Sequence, residues 1–449
     1  MKKKTRLIIL SLFIILFILT VPVVILYTEG YRYNFKKGKI EKTGAFVFVT
    51  EPRDVNIYID NTLYPKNKEF LIQKISPQSH AIKILKRGYY PWSKNLEVKP
   101  NLTTFVNTVK LVKKGLPISI LSEEIKQIHY APNKKELIYL ASKTLWYFDL
   151  ISQKKEKALT IPNHYQLEQI IWSKDSQKIL VILKNKASLI YSIISPEDLD
   201  QKLYLHPEKE LNQVKWDSPK SPFLIALENH QKLVRLDTQT GNRETVLKSQ
   251  GVLIDFFIDP KGIYILENPP QNTQTDLLVL DFDFQEQNRF PLPYSNEYQF
   301  GIEHEHYLII QDNALSITYF FDKQKKEPPL IEILPASDEC LAYYRPNEFI
   351  CYNNYEIKVF AAHNNTKHLL IRFSHPISEL VVHEDSPYLT VLIDNTIKII
   401  EVDLVSQKNI VDLNEMKNIH SLIQTDTDKN LYFYGEIGNQ NGLYKYELY

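Results

Sequence analysis

Two short stretches, one of alternating Glu and His and one rich in Asp, have residue types that could hold a metal ion. Glu303, His304, Glu305 and His306 follow one another. On a β-strand, residues two apart share a face, so both imidazoles could reach one ion. The sequence offers no identifiable third ligand, so we predict a surface or channel strand at this position rather than a metal site.

A second stretch has the spacing that begins a calcium loop, with Asp426, Asp428 and Asn430 at alternate positions. An EF-hand requires glycine at the sixth position and glutamate at the twelfth. This sequence has Leu431 and Ile437 there. The stretch therefore predicts an ordinary turn between strands.

The chain has two cysteines, Cys340 and Cys351, and neither belongs to a CxxC or Cys/His zinc pattern. They flank a predicted hairpin that turns near Pro346 and Asn347. They could form a cross-strand disulfide if this part lies outside the cell, or remain two free thiols in the core.

Composition excludes several function classes. With 54 basic and 53 acidic residues, the net charge is +1, whereas a nucleic-acid-binding surface would be clearly basic. Only 12 glycines occur, and neither a dinucleotide-binding fingerprint nor a P-loop is present. No G-x-S-x-G, H-E-x-x-H or Ser/His/Asp arrangement is discernible either. We predict no catalytic, cofactor-binding or metal-binding residues, no cofactor and no nucleic-acid partner.

The N-terminal stretch determines where the chain is held. Basic residues Lys2, Lys3, Lys4 and Arg6 precede an uncharged apolar run from Leu7 to Tyr27. Roughly 20 residues of helix cross the ~30 Å hydrocarbon core of a bilayer. The run is longer than a signal-peptide core and no A-x-A cleavage pattern follows it. Residues 1–28 therefore predict a cytoplasmic basic tip and an uncleaved transmembrane anchor, with the C-terminal domains outside the cell membrane.

Residues 29–43 are short, polar and charged, and they predict a juxtamembrane linker. Their basic side chains either rest on anionic lipid headgroups, at roughly 1 kcal/mol each, or belong to a simple solvated spacer.

From Gly44 the pattern changes to the period of two that is typical of strands. Short strands are predicted to start near Ala45, Val55, Phe70, His80, Trp92 and Thr103. Several short strands within residues 44–113, without a helical period, predict a small β-sandwich.

The region includes the segments TGAFVFVTEPRDVNIYID, SPQSHAIKILKRGYYPW and VNTVKLV. In these segments it resembles a PEGA domain. The strand that ends at Pro52, the Asp-containing turn at Asp60 and the Gly88-Tyr89 pair follow the family pattern. The Gly-Ala of the name-giving motif is missing after Pro52, and Pro77-Gln78 replaces Pro-Gly. The resemblance implies a non-catalytic surface domain for attachment or spacing, with Gly88 at a positive φ.

Residues 116–449 contain a repeat of about 42 residues with four short strands per unit, which marks a β-propeller blade. The pattern predicts eight blades, with seven as the alternative. The stretch from Leu116 to Leu121 resembles the fourth strands, so we expect it to complete the last blade and close the ring. The WD-repeat signatures are absent. The fold class is therefore all-β, with an N-terminal transmembrane helix, a PEGA-like sandwich and a C-terminal propeller.

Within the repeats, several polar and aromatic residues recur. Acidic residues at the ends of third strands predict turns, because Asp bonds its own backbone there; they are Asp149, Asp237, Asp281 and Asp403. Trp172 and Trp216 occupy matching positions and predict packing between blades. First strands line the channel of a propeller, and their candidate lining residues are Gln127, Gln169, Gln213, Asp255, Glu303 and Glu379.

Together these features predict a single-pass membrane protein that is not an enzyme. The stretch from Leu7 to Tyr27 would contact the lipid bilayer, and the propeller would bind a protein or glycan of the cell envelope. The alternative is an enzyme that acts on envelope polysaccharide or peptide through the propeller channel. It would require two acids, such as Asp255 and Glu303, facing each other about 5–10 Å apart.

Overall fold

The structure is a computed structural model of the 449-residue chain. It describes residues 3–34, 38–64, 71–186, 188–206, 211–217, 222–271, 273–324, 330–335, 339–343, 345, 347–384, 386–413, 416–425 and 429–449. In this part of the chain the structure is almost all β, with one apolar helix at the N-terminus.

The helix α1 (Lys3–Thr28) has 26 residues, and its segment Ile8–Thr28 is long and apolar enough to cross a membrane. An antiparallel hairpin follows directly, formed by β1 (Tyr31–Asn34) and β2 (Lys39–Lys42). The predicted linker therefore contains ordered strands. The backbone N–H of Thr43 donates to the Gly30 carbonyl at 3.0 Å and closes the base of the hairpin, and the Gly30 N–H donates to the Tyr27 carbonyl of the helix at 3.3 Å.

Seven short strands form two sheets that enclose a small core. They are β3 (Gly44–Glu51), β4 (Asn56–Ile59), β5 (Thr62–Tyr64), β6 (Leu71–Ile75), β7 (Ser79–Leu85), β8 (Trp92–Glu97) and β9 (Thr103–Lys110). One sheet has the order β6-β3-β9 and the other β5-β4-β7-β8. Alternate residues such as Phe46, Phe48, Ile82 and Ile84 are buried between them, as the period of two predicts. Gly88 has a φ of +82°, which confirms the expectation for that position.

The remaining strands form eight four-stranded antiparallel sheets among the residues that the structure describes. In chain order the first four sheets consist of β11 (Gln127–Tyr130), β12 (Glu136–Ala141), β13 (Thr144–Asp149) and β14 (Lys155–Thr160); β15 (Gln166–Trp172), β16 (Ile179–Lys184), β17 (Leu189–Ser195) and β18 (Asp198–Leu205); β19 (Asn212–Trp216), β20 (Phe223–Glu228), β21 (Lys232–Asp237) and β22 (Arg243–Lys248); β23 (Val252–Asp259), β24 (Gly262–Asn268), β25 (Thr275–Leu280) and β26 (Glu286–Leu292).

The later sheets repeat the same plan. They consist of β27 (Tyr298–Glu303), β28 (Tyr307–Asp312), β29 (Ile317–Asp322) and β30 (Leu330–Pro335); β31 (Glu339–Ala342), β32 (Glu348–Tyr352), β33 (Glu356–Ala361) and β34 (Thr366–Arg372); β35 (Ile377–Val382), β36 (Tyr388–Ile393), β37 (Thr396–Glu401) and β38 (Ile410–Leu413); and β39 (Lys417–Gln424), β40 (Asn430–Ile437) and β41 (Gln440–Glu447) with β10 (Ile118–Leu121). We call these sheets blades 1 to 8.

The last blade combines both ends of the propeller sequence. Strand β10 pairs antiparallel with β41, which confirms the expected closure by the stretch before the first repeat. Gly442 allows this pairing, because a Cβ there would lie 2.1 Å from the Leu121 carbonyl oxygen.

The second strands of the blades are buried along most of their length rather than on alternate residues. All six residues of β36 are buried, and five of the six in β16. Burial along the whole length is typical of a strand whose two faces are both covered. In a propeller the neighbouring blades provide that cover, and one hydrophobic cluster indeed joins Ile138 of blade 1 to Val181 of blade 2.

Candidate functional site

Each blade has two ends, and the small sandwich contacts only one of them among the described residues. We call it the sandwich end: it carries the turns between first and second strands and between third and fourth strands. The far end carries the turns between second and third strands and the connections between blades. This division follows from the antiparallel order of every blade.

The contact at the sandwich end has a buried charged centre on blade 7. The Lys94 side chain of β8 is 4% exposed, and its ammonium lies 2.9 Å from a Glu401 oxygen and also hydrogen-bonds Asp403. The Trp92 indole N–H donates to Glu401 at 3.2 Å, and the Asn409 amide donates to the same carboxylate at 2.8 Å. Burial would raise the pKa of Asp403, but hydrogen bonds from Lys94 and Ser406 outweigh it and hold the pKa below its usual range.

Blade 8 extends the contact through backbone and side-chain bonds. The Lys113 N–H donates to the Leu448 carbonyl at 2.8 Å, and the Tyr446 hydroxyl donates to the Lys113 carbonyl at 2.7 Å. Val112 belongs to the same buried cluster as Tyr388 and Tyr446. The sandwich is therefore fixed to blades 7 and 8 by apolar packing, hydrogen bonds and buried ion pairs.

Three of the six channel-lining candidates predicted from the sequence join one blade to the next. Asp255 is buried and accepts the Phe300 N–H of blade 5 at 2.8 Å. Glu379 accepts the N–H groups of two blade 8 residues, Ser421 and Leu422, each at 2.7 Å. Gln213 donates to the Ile254 carbonyl of blade 4 at 2.9 Å. These three side chains therefore supply hydrogen-bond partners to backbone groups on the first strand of the next blade.

The other three candidates are two glutamines and one glutamate. Gln127 and Gln169 are exposed. Glu303 ends strand β27, but its side chain lies outside the described part of the structure. The test of an Asp255–Glu303 pair thus falls outside the described residues.

Two interpretations of recurring residues are confirmed. The indole N–H of Trp172 donates to the His129 carbonyl of blade 1, and that of Trp216 donates to the Ile171 carbonyl of blade 2, both at 3.2 Å. The third-strand acids accept backbone N–H bonds from residues two to four positions later, as turn formers do; they are Asp149, Asp237, Asp281 and Asp403.

The two histidines do not share a strand face, which corrects the prediction. Strand β27 ends at Glu303, and His304 and His306 lie in the turn before β28. The reason is that the His304 Nδ1 accepts the N–H groups of His306 and Tyr307 at 3.2 and 3.3 Å and so forms the turn itself. Burial, with His306 and Lys323 nearby, lowers the pKa of His304 to about 4, so its ring is a neutral acceptor.

No group of three or more metal-ligating side chains occurs among the described residues. In the stretch that resembled a calcium loop, residues 426–428 lie outside the described structure. Cys340 and Cys351 face each other on β31 and β32 and form a disulfide. Of the two alternatives for these cysteines, the structure has the cross-strand bond.

The far end of blades 5 and 6 contains a polar cleft of about 470 Å³. Its lining comes from β27, the end of β28, the turn that follows, the start of β29 and the start of β31. It includes Gln299, Gln311, Asp312, Asn313, Ser316, Thr318 and Glu339. The Gln299 amide donates to the Gln311 side-chain oxygen at 3.0 Å, which orders both groups. A cleft of this size fits a small polar ligand or a few side chains of a partner.

The cleft is acidic and rich in hydrogen-bonding groups. Asp312 accepts the Ser295 hydroxyl at 2.8 Å through Oδ1, whereas its buried Oδ2 has no hydrogen-bond partner among the described residues. Glu339 accepts the Tyr352 hydroxyl at 2.6 Å. Burial, together with this bond, raises the pKa of Tyr352, which therefore stays protonated. Such a lining suits hydroxyl, amide or cationic groups of a ligand.

Sequence inspection missed this cleft. Its residues come from three strands and a turn of blade 5 and from the first strand of blade 6, which are brought together only when the two blades pack. The signal that was available in the sequence, the polar run Gln311-Asp312-Asn313 at the end of β28, is also an ordinary turn composition.

No protein-family model and no curated protein matches this sequence. Solved structures do match its fold. A crystal structure of the C-terminal WD40 domain of Sif2 aligns with a TM-score of 0.51 at 13% identity, covering 74% of this chain and 98% of that domain. A structure of the Dos1 propeller aligns with a TM-score of 0.49 at 13% identity, covering 73% and 94%.

A dihydro-heme d1 dehydrogenase, NirN, aligns with a TM-score of 0.44 at 14% identity, covering 74% of this chain and 73% of that one. At these identities the likeness to the WD40 domain shows the fold alone, and TM-scores below 0.5 decide nothing. The chain contains a C-terminal β-propeller.

Proposed function

We propose that this chain is a membrane-anchored, extracytoplasmic binding protein that presents its propeller to a protein or glycan of the cell envelope. In this proposal residues 1–28 form the anchor, 29–43 join it to a PEGA-like sandwich at 44–113, and 116–449 form the propeller. Tethering raises the effective concentration of the propeller at the surface and so favours weak contacts.

The observation that carries the proposal is the fixed contact between sandwich and propeller. The Lys94 centre and the Lys113 bonds attach the sandwich to the sandwich end of blades 7 and 8. Because the sandwich follows the helix in the chain, this end lies on the anchor side. The far end, with its polar cleft, is then turned away from the membrane and accessible to a partner.

The disulfide supports an extracytoplasmic location. Disulfides persist in oxidising compartments and are rare in the cytosol. The bond between Cys340 and Cys351 belongs to the same far end of blade 6 as the cleft.

The enzyme alternative has less support. The described acids of the channel, Asp255 and Glu379, already accept backbone hydrogen bonds between blades. A general acid or base needs a carboxyl group that can reach the substrate.

The test is crosslinking of the tagged full chain in intact membranes, followed by identification of the captured partner. Asn313→Arg places a long cation in the cleft and should reduce capture, whereas Ser152→Arg, in an exposed turn at the sandwich end of blade 1, is the matched control. Equal loss in both variants, or no specific partner for the unaltered chain, would overturn the proposal.

Location has a separate test. Protease added to intact cells should digest the propeller, and complete protection until lysis would place the propeller inside.

A further inference from the structure

A second cleft, of about 500 Å³, lies between the β1–β2 hairpin and the sandwich. Its lining includes the cations Arg32 and Lys74, together with Thr43, Ser76 and Gln78. Arg32 belongs to the β1–β2 hairpin and Lys74 to β6. They are 42 positions apart in the chain, but both line this cleft. Their common neighbour is Tyr27, in the last turn of the helix.

The positions of these two cations are set by that tyrosine. The Arg32 guanidinium lies 3.5 Å from the centre of the Tyr27 ring and donates to the Tyr27 carbonyl at 2.6 Å. The Lys74 ammonium lies 5.9 Å from the centre of the same ring. Both positive charges are therefore held at the C-terminal end of α1, the level at which a spanning helix leaves the hydrocarbon core.

Lys74 is aimed at this place by an irregularity in the sheet. The pairing of β3 with β6 shifts between Gly44 and Ala45, which leaves Lys74 as the extra residue of a bulge. Its φ of +65° lies in the left-handed region that favours glycine. Bulges redirect side chains, and strained backbone of this kind concentrates at ligand-binding positions.

The charges of Arg32 and Lys74 are not neutralised within the described part of the protein, where neither forms an ion pair. The carboxylates of the lining are engaged elsewhere. Asp60 bonds the His80 ring at 2.6 Å and the Ala81 N–H at 3.0 Å, and Glu41 lies 3.6 Å from the Lys39 ammonium. An anionic group is thus the missing complement of the cleft.

We propose that this juxtamembrane cleft binds the phosphate of an anionic phospholipid headgroup. The inference rests on the proposed membrane anchoring, because the helix brings the cleft to the headgroup layer. A phosphodiester accepts hydrogen bonds from both cations, and the hydroxyl and amide groups of Ser76 and Gln78 suit the polar part of the headgroup.

The test uses the full chain in neutral detergent with equal amounts of phosphatidylglycerol and phosphatidylcholine, and native mass spectrometry counts the lipids retained. We expect the unaltered chain to retain more phosphatidylglycerol than phosphatidylcholine. In Lys74→Gln this preference should fall about fivefold, which is roughly the contribution of one cation near a membrane surface. Arg32→Lys keeps the charge and should keep the preference. Lys126→Gln, an exposed lysine at the far end of the propeller, is the matched control.

Equal retention of the two lipids, or an unchanged preference in Lys74→Gln, would overturn the inference. Displacement of the lipid by equimolar inorganic phosphate would also overturn it, because the cleft would then be a phosphate site. Carbonate extraction from vesicles tests the anchor separately. If the unaltered chain is extracted, the proposed anchoring fails, whereas a retained chain without lipid preference refutes only the headgroup site.

Discussion

Replacing Lys94 by methionine should loosen the sandwich from the propeller. The substitution keeps the length of the side chain and removes its charge, while Glu401 and Asp403 stay in place. Their side chains are only 11% and 21% exposed, so water cannot fully replace the ammonium. Removing one partner of a buried ion pair typically costs about 3–5 kcal/mol, because the remaining charge is left uncompensated.

We expect a value near the lower limit, about 3 kcal/mol, because Trp92 and Asn409 still donate to Glu401. A double variant, Lys94→Met with Glu401→Gln, should recover about 1–2 kcal/mol, since it no longer buries one of the unpaired carboxylates.

Hydrogen exchange measures this opening locally. The Ser93 N–H donates to the Asn409 side chain across the contact at 3.0 Å, so its exchange reports separation of the two units. A loss of about 3 kcal/mol corresponds to exchange roughly 100-fold faster. Lys83→Met, an exposed lysine on the neighbouring strand β7, is the control. A change of less than about threefold at Ser93, or the same change in Lys83→Met, would refute the role of the charged centre.

Three further predictions concern the propeller. Gly442→Ala should lower the melting temperature, because its Cβ would lie 2.1 Å from a backbone oxygen of β10, whereas Gly115→Ala, with nothing within 4 Å, should not. The pKa of His304 is lowered to about 4, so the unfolded chain binds the proton first and stability falls as the pH drops from about 6.5 towards 4; His304→Asn, which keeps an acceptor in the turn, should flatten this part of a stability–pH curve. Replacing both Cys340 and Cys351 by alanine should cost about 3 kcal/mol in denaturant unfolding, the chain-entropy value for a short loop, and an unchanged midpoint would exclude the disulfide.

The periodic parts of the chain were the most predictable from sequence. The starts of the repeats were found within a few residues, because each blade has the same order of apolar strands and turns. The turn at His304 was not predicted from the sequence. Whether His304 continues β27 or forms a turn depends on which backbone N–H groups donate to its ring. Asp403 shows both cases: its turn bonds were predicted, but its bond to Lys94 joins residues 309 positions apart.

By itself, the sequence determined the apolar helix, the all-β class, the repeat and the closing strand, since each is a local pattern of hydrophobicity or turn residues. Only the tertiary structure decided which end of the propeller the sandwich covers, how the channel acids are used and where the two clefts lie. Those features depend on side chains from distant strands meeting at a few ångströms, and no local pattern encodes such a meeting. The same holds for Arg32 and Lys74, which become a pair only around Tyr27.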